Sequence, residues 1–328
     1  MTTYKNVRYK LPAVTLSGAT ESSPAEGDIW YESGKFNLGT SQNFPGVWSS
    51  GGNLATARRD LAGAGTQSAG LCAGGDSGGS YVGTTEEYNG TAWSSGGSLI
   101  TAHAELGGCG TQTAGLVMGG TPSASDEDTE EYDGSSWATG GDLASGRNKL
   151  AACGTQTAGL CMGGASAGSV QNVTEEYNGT AWSSGGNLLT ARQSMGGAGT
   201  QTAGLCMGGS TDPTRQVATE EYDGTSWSAG GNIATACHSL AGAGTQSAGL
   251  CMGGDTASGY SNVTEEYNGT AWSSGGNLAT ARSRLAGAGT QALGLCMGGH
   301  TGSVSNVTEE YTGGTGSYDE LFTAEQGL

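Results

Sequence analysis

Positive charge is what this chain most lacks. Twelve Lys and Arg stand against thirty Asp and Glu, a formal net charge of −18. Nucleic acid is recognised through a basic footprint, so that class of partner is excluded. Only three His occur, His103, His238 and His300, each in a different part of the chain, which argues against a shared metal site or a catalytic triad. No apolar stretch is long enough to span a bilayer. Residues 1–22 lack the apolar core of a secretory signal, so synthesis in a cytoplasm is expected. Hydrophobic residues make up 35% of the chain and Phe occurs three times, a composition that borders on disorder. Helix is excluded by the 64 Gly, each of which costs about 1 kcal/mol in a helix interior.

What is present is repetition. A Thr-Gln pair within a Gly- and Ala-rich stretch stands at Thr66, Thr111, Thr155, Thr200, Thr245 and Thr290, at steps of 45, 44, 45, 45 and 45 residues. A fixed period of this size marks a repeat architecture, in which each copy buries its apolar face against the next. One unit reads as four short strands. The first lies near Leu61-Ala62-Gly63-Ala64-Gly65 and ends in a tight turn at Thr66-Gln67. The second is Ala69-Gly70-Leu71-Cys72-Ala73, stopped by Gly74-Gly75. The third is Thr85-Glu86-Glu87-Tyr88. The fourth carries Trp93 after Asn89-Gly90, the strongest short signal for a two-residue hairpin. Four strands per 45 residues is a propeller blade, which predicts an all-β, six-bladed β-propeller over residues 46–311. The last unit lacks its Trp strand, and one orphan Trp strand, 47–54, precedes the first unit. The orphan is expected to complete blade six, closing the ring and removing exposed sheet edges. Residues 1–45 read as an attachment segment with a linker and a β-hairpin around Ser33-Gly34. Residues 312–328 read as an acidic tail with no packing pattern.

These features resemble the kelch family of β-propellers: Gly208-Gly209 ending a second strand, Tyr222 in a third, Trp227 in a fourth, and an Arg just before a first strand, as at Arg58, Arg147, Arg192 and Arg282. His103 and Cys237 depart from the Arg position. The near-identity of the Gly-rich copies, with Gly27-Asp28-Ile29-Trp30-Tyr31, also resembles tail-fibre and other virion proteins of bacteriophages. That resemblance implies a virion location, attachment to other tail proteins through the N-terminal segment, and contact with a host surface polysaccharide or protein.

Most repeated residues have structural readings. The Arg positions and Trp48, Trp93, Trp137, Trp182, Trp227 and Trp272 are expected to form structural rings. One Glu of each pair is expected to meet an Arg between blades, and the other to face solvent. Cys72 and its counterparts alternate with Val117, as suits a small buried site rather than a disulfide framework. Asp126-Glu127-Asp128 lacks the spaced ligands of a calcium loop and reads as solvated. No catalytic residue, metal or cofactor is expected. The copies differ mainly on one face, in the loops between second and third strands and in the blade-to-blade connections. Loops on a rigid scaffold are where recognition resides. The binding candidates are therefore Asp76, Tyr81, Asp126, Asp128, Arg215, His238, Asp255, Tyr260 and His300. The expected function is a non-enzymatic binding module. The alternatives are a purely structural decoration of a virion, or a cellular interaction scaffold.

Overall fold

The computed structural model describes residues 29–32, 35–41, 45–121, 126–314 and 317–322. Among these residues there is no helix, and so none that could cross a membrane. Six four-stranded antiparallel sheets stand in a ring, forming a six-bladed β-propeller. In blade four the strands are Gly196–Thr200, Ala203–Met207, Thr219–Tyr222 and Trp227–Ala229. They pair in sequence order, with Ala198 opposite Leu205, Cys206 opposite Glu220 and Tyr222 opposite Trp227. Blade six combines Ala286–Gly289, Leu293–Met297 and Thr308–Thr312 with Val47–Ser50 as its outermost strand, Trp48 lying opposite Tyr311.

The small residues of the first strand are set by crowding at the axis. A Cβ on Gly242 would lie 2.5 Å from the carbonyl oxygen of Gly197 in the neighbouring blade, a gap that no side chain tolerates. Each second strand ends where two glycines adopt positive φ, 62° at Gly208 and 96° at Gly209, a conformation that L side chains rarely take. Burial is concentrated between blades. At the junction of blades four and five, Leu205, Met207, Ile233, Cys251 and Tyr267 pack into one cluster.

Three polar contacts recur at all six junctions. Gln201 Nε2 donates to the carbonyls of Gly159 (3.1 Å) and Tyr177 (2.7 Å) in the preceding blade. Tyr222 donates its hydroxyl hydrogen to Glu176 at 2.6 Å, and Trp227 Nε1 donates to Thr174 Oγ1 at 3.0 Å. Blade one holds blade six in the same way, through Gln67 on Gly294 and Tyr311, Tyr88 on Glu310, and Trp93 on Thr308.

One Glu of each pair was expected to meet an Arg between blades and the other to face solvent; the Arg pairing is found, but within a blade. In the four blades that have the Arg, the first Glu of the pair meets it within the blade, as Glu220 meets Arg192 at 2.8 Å. The guanidinium also donates to the carbonyls of Gly208 and Ala218, so it fastens the incoming connection to the blade it enters. The second Glu does not simply face solvent but reaches across, since it accepts the Tyr hydroxyl of the next blade. Strand alternation separates the two roles. The repeated Cys is not surrounded by apolar groups alone, because Arg58 Nη2 lies 3.0 Å from Cys72 Sγ. Burial still pushes that thiol up to about 11, and all eight Cys are buried and free. The Asn-Gly loops are not two-residue hairpins. Four residues separate Tyr88 from Trp93, and Asn89 Oδ1 accepts the N–H groups of Thr91 and Ala92, with Gly90 at positive φ.

A second compact unit gathers residues 1–44 and 314–328. Its described part is a three-stranded antiparallel sheet of Ile29–Glu32, Lys35–Ser41 and Ser317–Phe322. The C-terminal region is thus not without a packing pattern: Thr312 extends blade six, and Ser317–Phe322 pairs along Lys35–Ser41. The linker expected within residues 1–45 falls before Ile29 and, like the turn at 33–34, lies outside the described residues.

Candidate functional site

In each four-stranded blade the first–second and third–fourth turns share one face of the disc. The second–third loops and the blade-to-blade connections share the other. Backbone bridges join each connection to the loop of the blade it enters, as Arg59 with Asp76 and His238 with Asp255. This second face is where the copies differ.

At its centre is a ring of six residues: Asp60, Glu105, Lys149, Ser194, Ser239 and Arg284. All six have φ between 53° and 57°. Their backbones form a closed cycle, each N–H donating to the carbonyl of the residue before it in the ring, at 2.7–2.9 Å. A second ring, Leu61, Leu106, Leu150, Met195, Leu240 and Leu285, floors a shallow depression of about 80 Å³ beneath the polar rim. The rim carries both signs of charge. Arg284 Nη1 is 3.3 Å from Asp60 Oδ2, and Lys149 Nζ is 3.6 Å from Glu105 Oε1. Burial raises the Asp60 carboxyl to about 6, with Glu105 adding to the rise and Arg284 and Arg59 opposing it. Left-handed backbone costs a non-glycine residue roughly 1–2 kcal/mol. A chain with 64 Gly nevertheless places charged or hydroxyl side chains at all six positions.

Seven of the nine candidate residues fall in one arc around this ring, running from blade four through blades five and six to blade one. Arg215 of blade four donates to Asp255 of blade five at 2.8 Å. Asp255 and His238 exchange backbone hydrogen bonds. Tyr260 of blade five meets His300 of blade six edge-on, with ring centroids 5.4 Å apart. The Tyr260 hydroxyl donates to His300 Nδ1 at 2.9 Å, since the Gly302 N–H also points at that nitrogen. Burial lowers the pKa of both His238 and His300; the Asp255 carboxylate opposes the shift at His238 and Asp76 opposes it at His300, while nearby Arg residues add to it. In blade one Asp76 acts on its own loop: it receives Arg59 at 2.8 Å and the N–H groups of Gly78 and Gly79. Burial alone would raise the Asp76 pKa, but those hydrogen bonds outweigh it and lower the value. Tyr81 and Tyr260 are exposed, at 46% and 40%.

Asp126 and Asp128 do not join the arc. They stand in blade two beside His103. The Arg and Trp residues line blade junctions and connections rather than any surface site; Arg58, Arg147, Arg192 and Arg282 are fully buried. Two features escaped sequence reading. The six axial residues were visible as the second residue of each variable connection, but nothing in the sequence marks their backbone conformation. The Gln clasp was hidden because a Gln in a turn reads as solvated. No protein-family model and no curated protein matches the chain.

Proposed function

We propose that this propeller is a non-enzymatic binding module whose working surface is the variable face, centred on the axial ring and extending along the arc from Arg215 to Tyr81. One observation carries the reading. The invariant Gln, Tyr, Trp, Thr and Glu residues are consumed by blade-to-blade contacts, while the residues that differ between copies are polar, clustered and set on one face. Charged side chains at left-handed axial positions support it further, because strain of that kind is retained where side chains are needed. Exposed Tyr beside hydrogen-bonding polar groups suits a polyhydroxylated or protein surface. The repeat is kelch-like in its Gly-Gly, Tyr, Trp and Arg positions. We place the protein among bacteriophage tail-associated attachment proteins, contacting a host surface glycan or protein. The sheet made from both chain ends is assigned to attachment within a larger assembly, because among the described residues each of its two outer strands is paired on one side only, the edge that strand addition uses.

The test is binding of the full chain to a panel of bacterial surface polysaccharides and to whole cells. Saturable binding is expected. Tyr260→Ala should weaken it at least tenfold, and Thr202→Ala on the opposite face should leave it unchanged. Absence of binding by a folded chain would move the assignment to a structural part of a particle.

A further inference from the structure

Blade two departs from the other five at four positions that lie together. The residue before the first strand is a buried Arg in blades one, three, four and six and Cys237 in blade five, but here it is His103. The second-strand residue is Cys in the other five blades and Val117 here. Arg58 and Arg147 contact that Cys in their own blades. Two loop positions, fixed in register by the backbone bonds Arg147 N–H to Asp126 O and Gly119 N–H to Asp128 O, hold Val, Gln or Ser and Thr, Val or Ala in the other copies. Blade two supplies an aspartate at each. Three changes toward metal-ligating residue types thus coincide in one copy of a repeat that is otherwise nearly constant.

The geometry of the group matches those residue types. His103 is 2% exposed. Its Nε2 lies 3.0 Å from Asp126 Oδ2 and 3.9 Å from Asp128 Oδ2. The three ligand atoms all lie within 4.8 Å of one another. Close as they are, no hydrogen bond is aligned on Nε2. Proximity without alignment is what neighbouring ligands of one ion show, since groups about 2.1 Å from a shared ion sit roughly 3 Å apart. The charge count agrees. At the three positions compared, blade four has Arg192, Gln216 and Ala218 where blade two has His103, Asp126 and Asp128, so one fixed positive charge is lost and two carboxylates are gained beside the buried Glu130.

We propose that His103, Asp126 and Asp128 hold a divalent transition-metal ion of the zinc class, tying the blade-two loop to the connection in place of the Arg clamp. An imidazole with two carboxylates suits such an ion, whereas calcium prefers oxygen ligands throughout. Asp128, whose side chain is 50% exposed, leaves the ion an entry from solvent. The assignment is independent of what the variable face binds.

The experiment uses the full chain, stripped with a chelator and titrated with Zn²⁺ by calorimetry and by thermal unfolding. One equivalent should bind and raise the melting temperature, and Ca²⁺ should do neither. His103→Arg, which installs the residue of four other blades, should abolish that equivalent. Asp128→Asn should weaken it at least tenfold. Both variants should keep the circular dichroism spectrum of the metal-free chain. If His103→Arg fails to fold, Asp128→Asn decides alone. Failure of the stripped chain to take up stoichiometric Zn²⁺ overturns the proposal, as does uptake undiminished in either folded variant, which would place the ion elsewhere, on the buried cysteines for instance.

Discussion

Asp60 shows how much one axial position carries. Its amide and carbonyl are both spent in the backbone cycle, its φ is 55°, and its carboxyl lies 3.3 Å from Arg284 and 3.7 Å from Arg59, with the charge of Glu105 also acting on it. Burial dominates, and the folded pKa rises from 3.8 to about 6. A carboxyl with a raised folded pKa favours the folded state while protonated. Its contribution is fully present below the unfolded value and is lost as pH rises through about 6. At neutral pH the ionised Asp60 therefore costs stability. Asp60→Asn removes that cost and keeps a side chain at ease in left-handed backbone. The variant should be more stable than the parent by about 1–2 kcal/mol at pH 7.5, with the gain shrinking to near zero by pH 4. Melting curves across that range would decide, and parallel pH profiles for parent and variant would show that Asp60 is not the titrating group. None of this was legible in the sequence, where Arg59-Asp60 is only one of six variable dipeptides.

At the scale of the blade, the sequence was read well where the signal was periodic and poorly where it was a matter of partners. Four strands, the small inner strand, the Tyr and Trp between blades and the buried Cys positions all followed from spacing and residue type. The two Glu of each third strand have different roles, as expected, but the Arg pair lies within a blade and the other Glu, expected in solvent, bridges to the next blade. A strand pattern says that Glu220 and Glu221 point to opposite sides but not which side holds Arg192 and which the next blade's Tyr267. The Gln clasp was missed for the same reason, because its partners are backbone carbonyls 24 and 42 residues away. That contact has a measurable value. Gln201→Ala leaves the carbonyls of Gly159 and Tyr177 without their donor at a partly buried junction. The expected loss is about 1–3 kcal/mol in chemical denaturation. Gln201→Glu, which keeps the shape but replaces the donor by an acceptor, should cost at least as much. An alanine variant as stable as the parent would mean that solvent satisfies both carbonyls.

For the whole molecule, the question is whether the ring is one cooperative body. Fold class and blade count were legible because six near-identical units leave few alternatives. The variable face was legible as a location, since antiparallel strands assign every loop to one side of the disc. Its organisation was not, because the arc from Arg215 to Tyr81 joins residues of four different copies. The contacts between blade six and blade one are the same three that hold every other junction. The outer strand of blade six comes from the other end of the repeat region. Trp48 on that strand donates to Thr264 Oγ1 of blade five at 2.9 Å, across 216 residues of chain. Trp182, within an uninterrupted unit, makes the equivalent bond to Thr129 at 3.0 Å. Both indoles are partly buried and each packs on the Tyr of its own blade at 4.9 Å. If the ring closes through Val47–Ser50, Trp48→Ala and Trp182→Ala should cost the same, roughly 2–4 kcal/mol, and both should lower a single cooperative melting transition. A ring left open at that junction would instead lose little on Trp48→Ala, because the strand carrying it would have no packed position to lose. Deletion of residues 47–54 separates the same two cases: it should lower the melting temperature sharply in a closed ring and leave it unmoved in an open one.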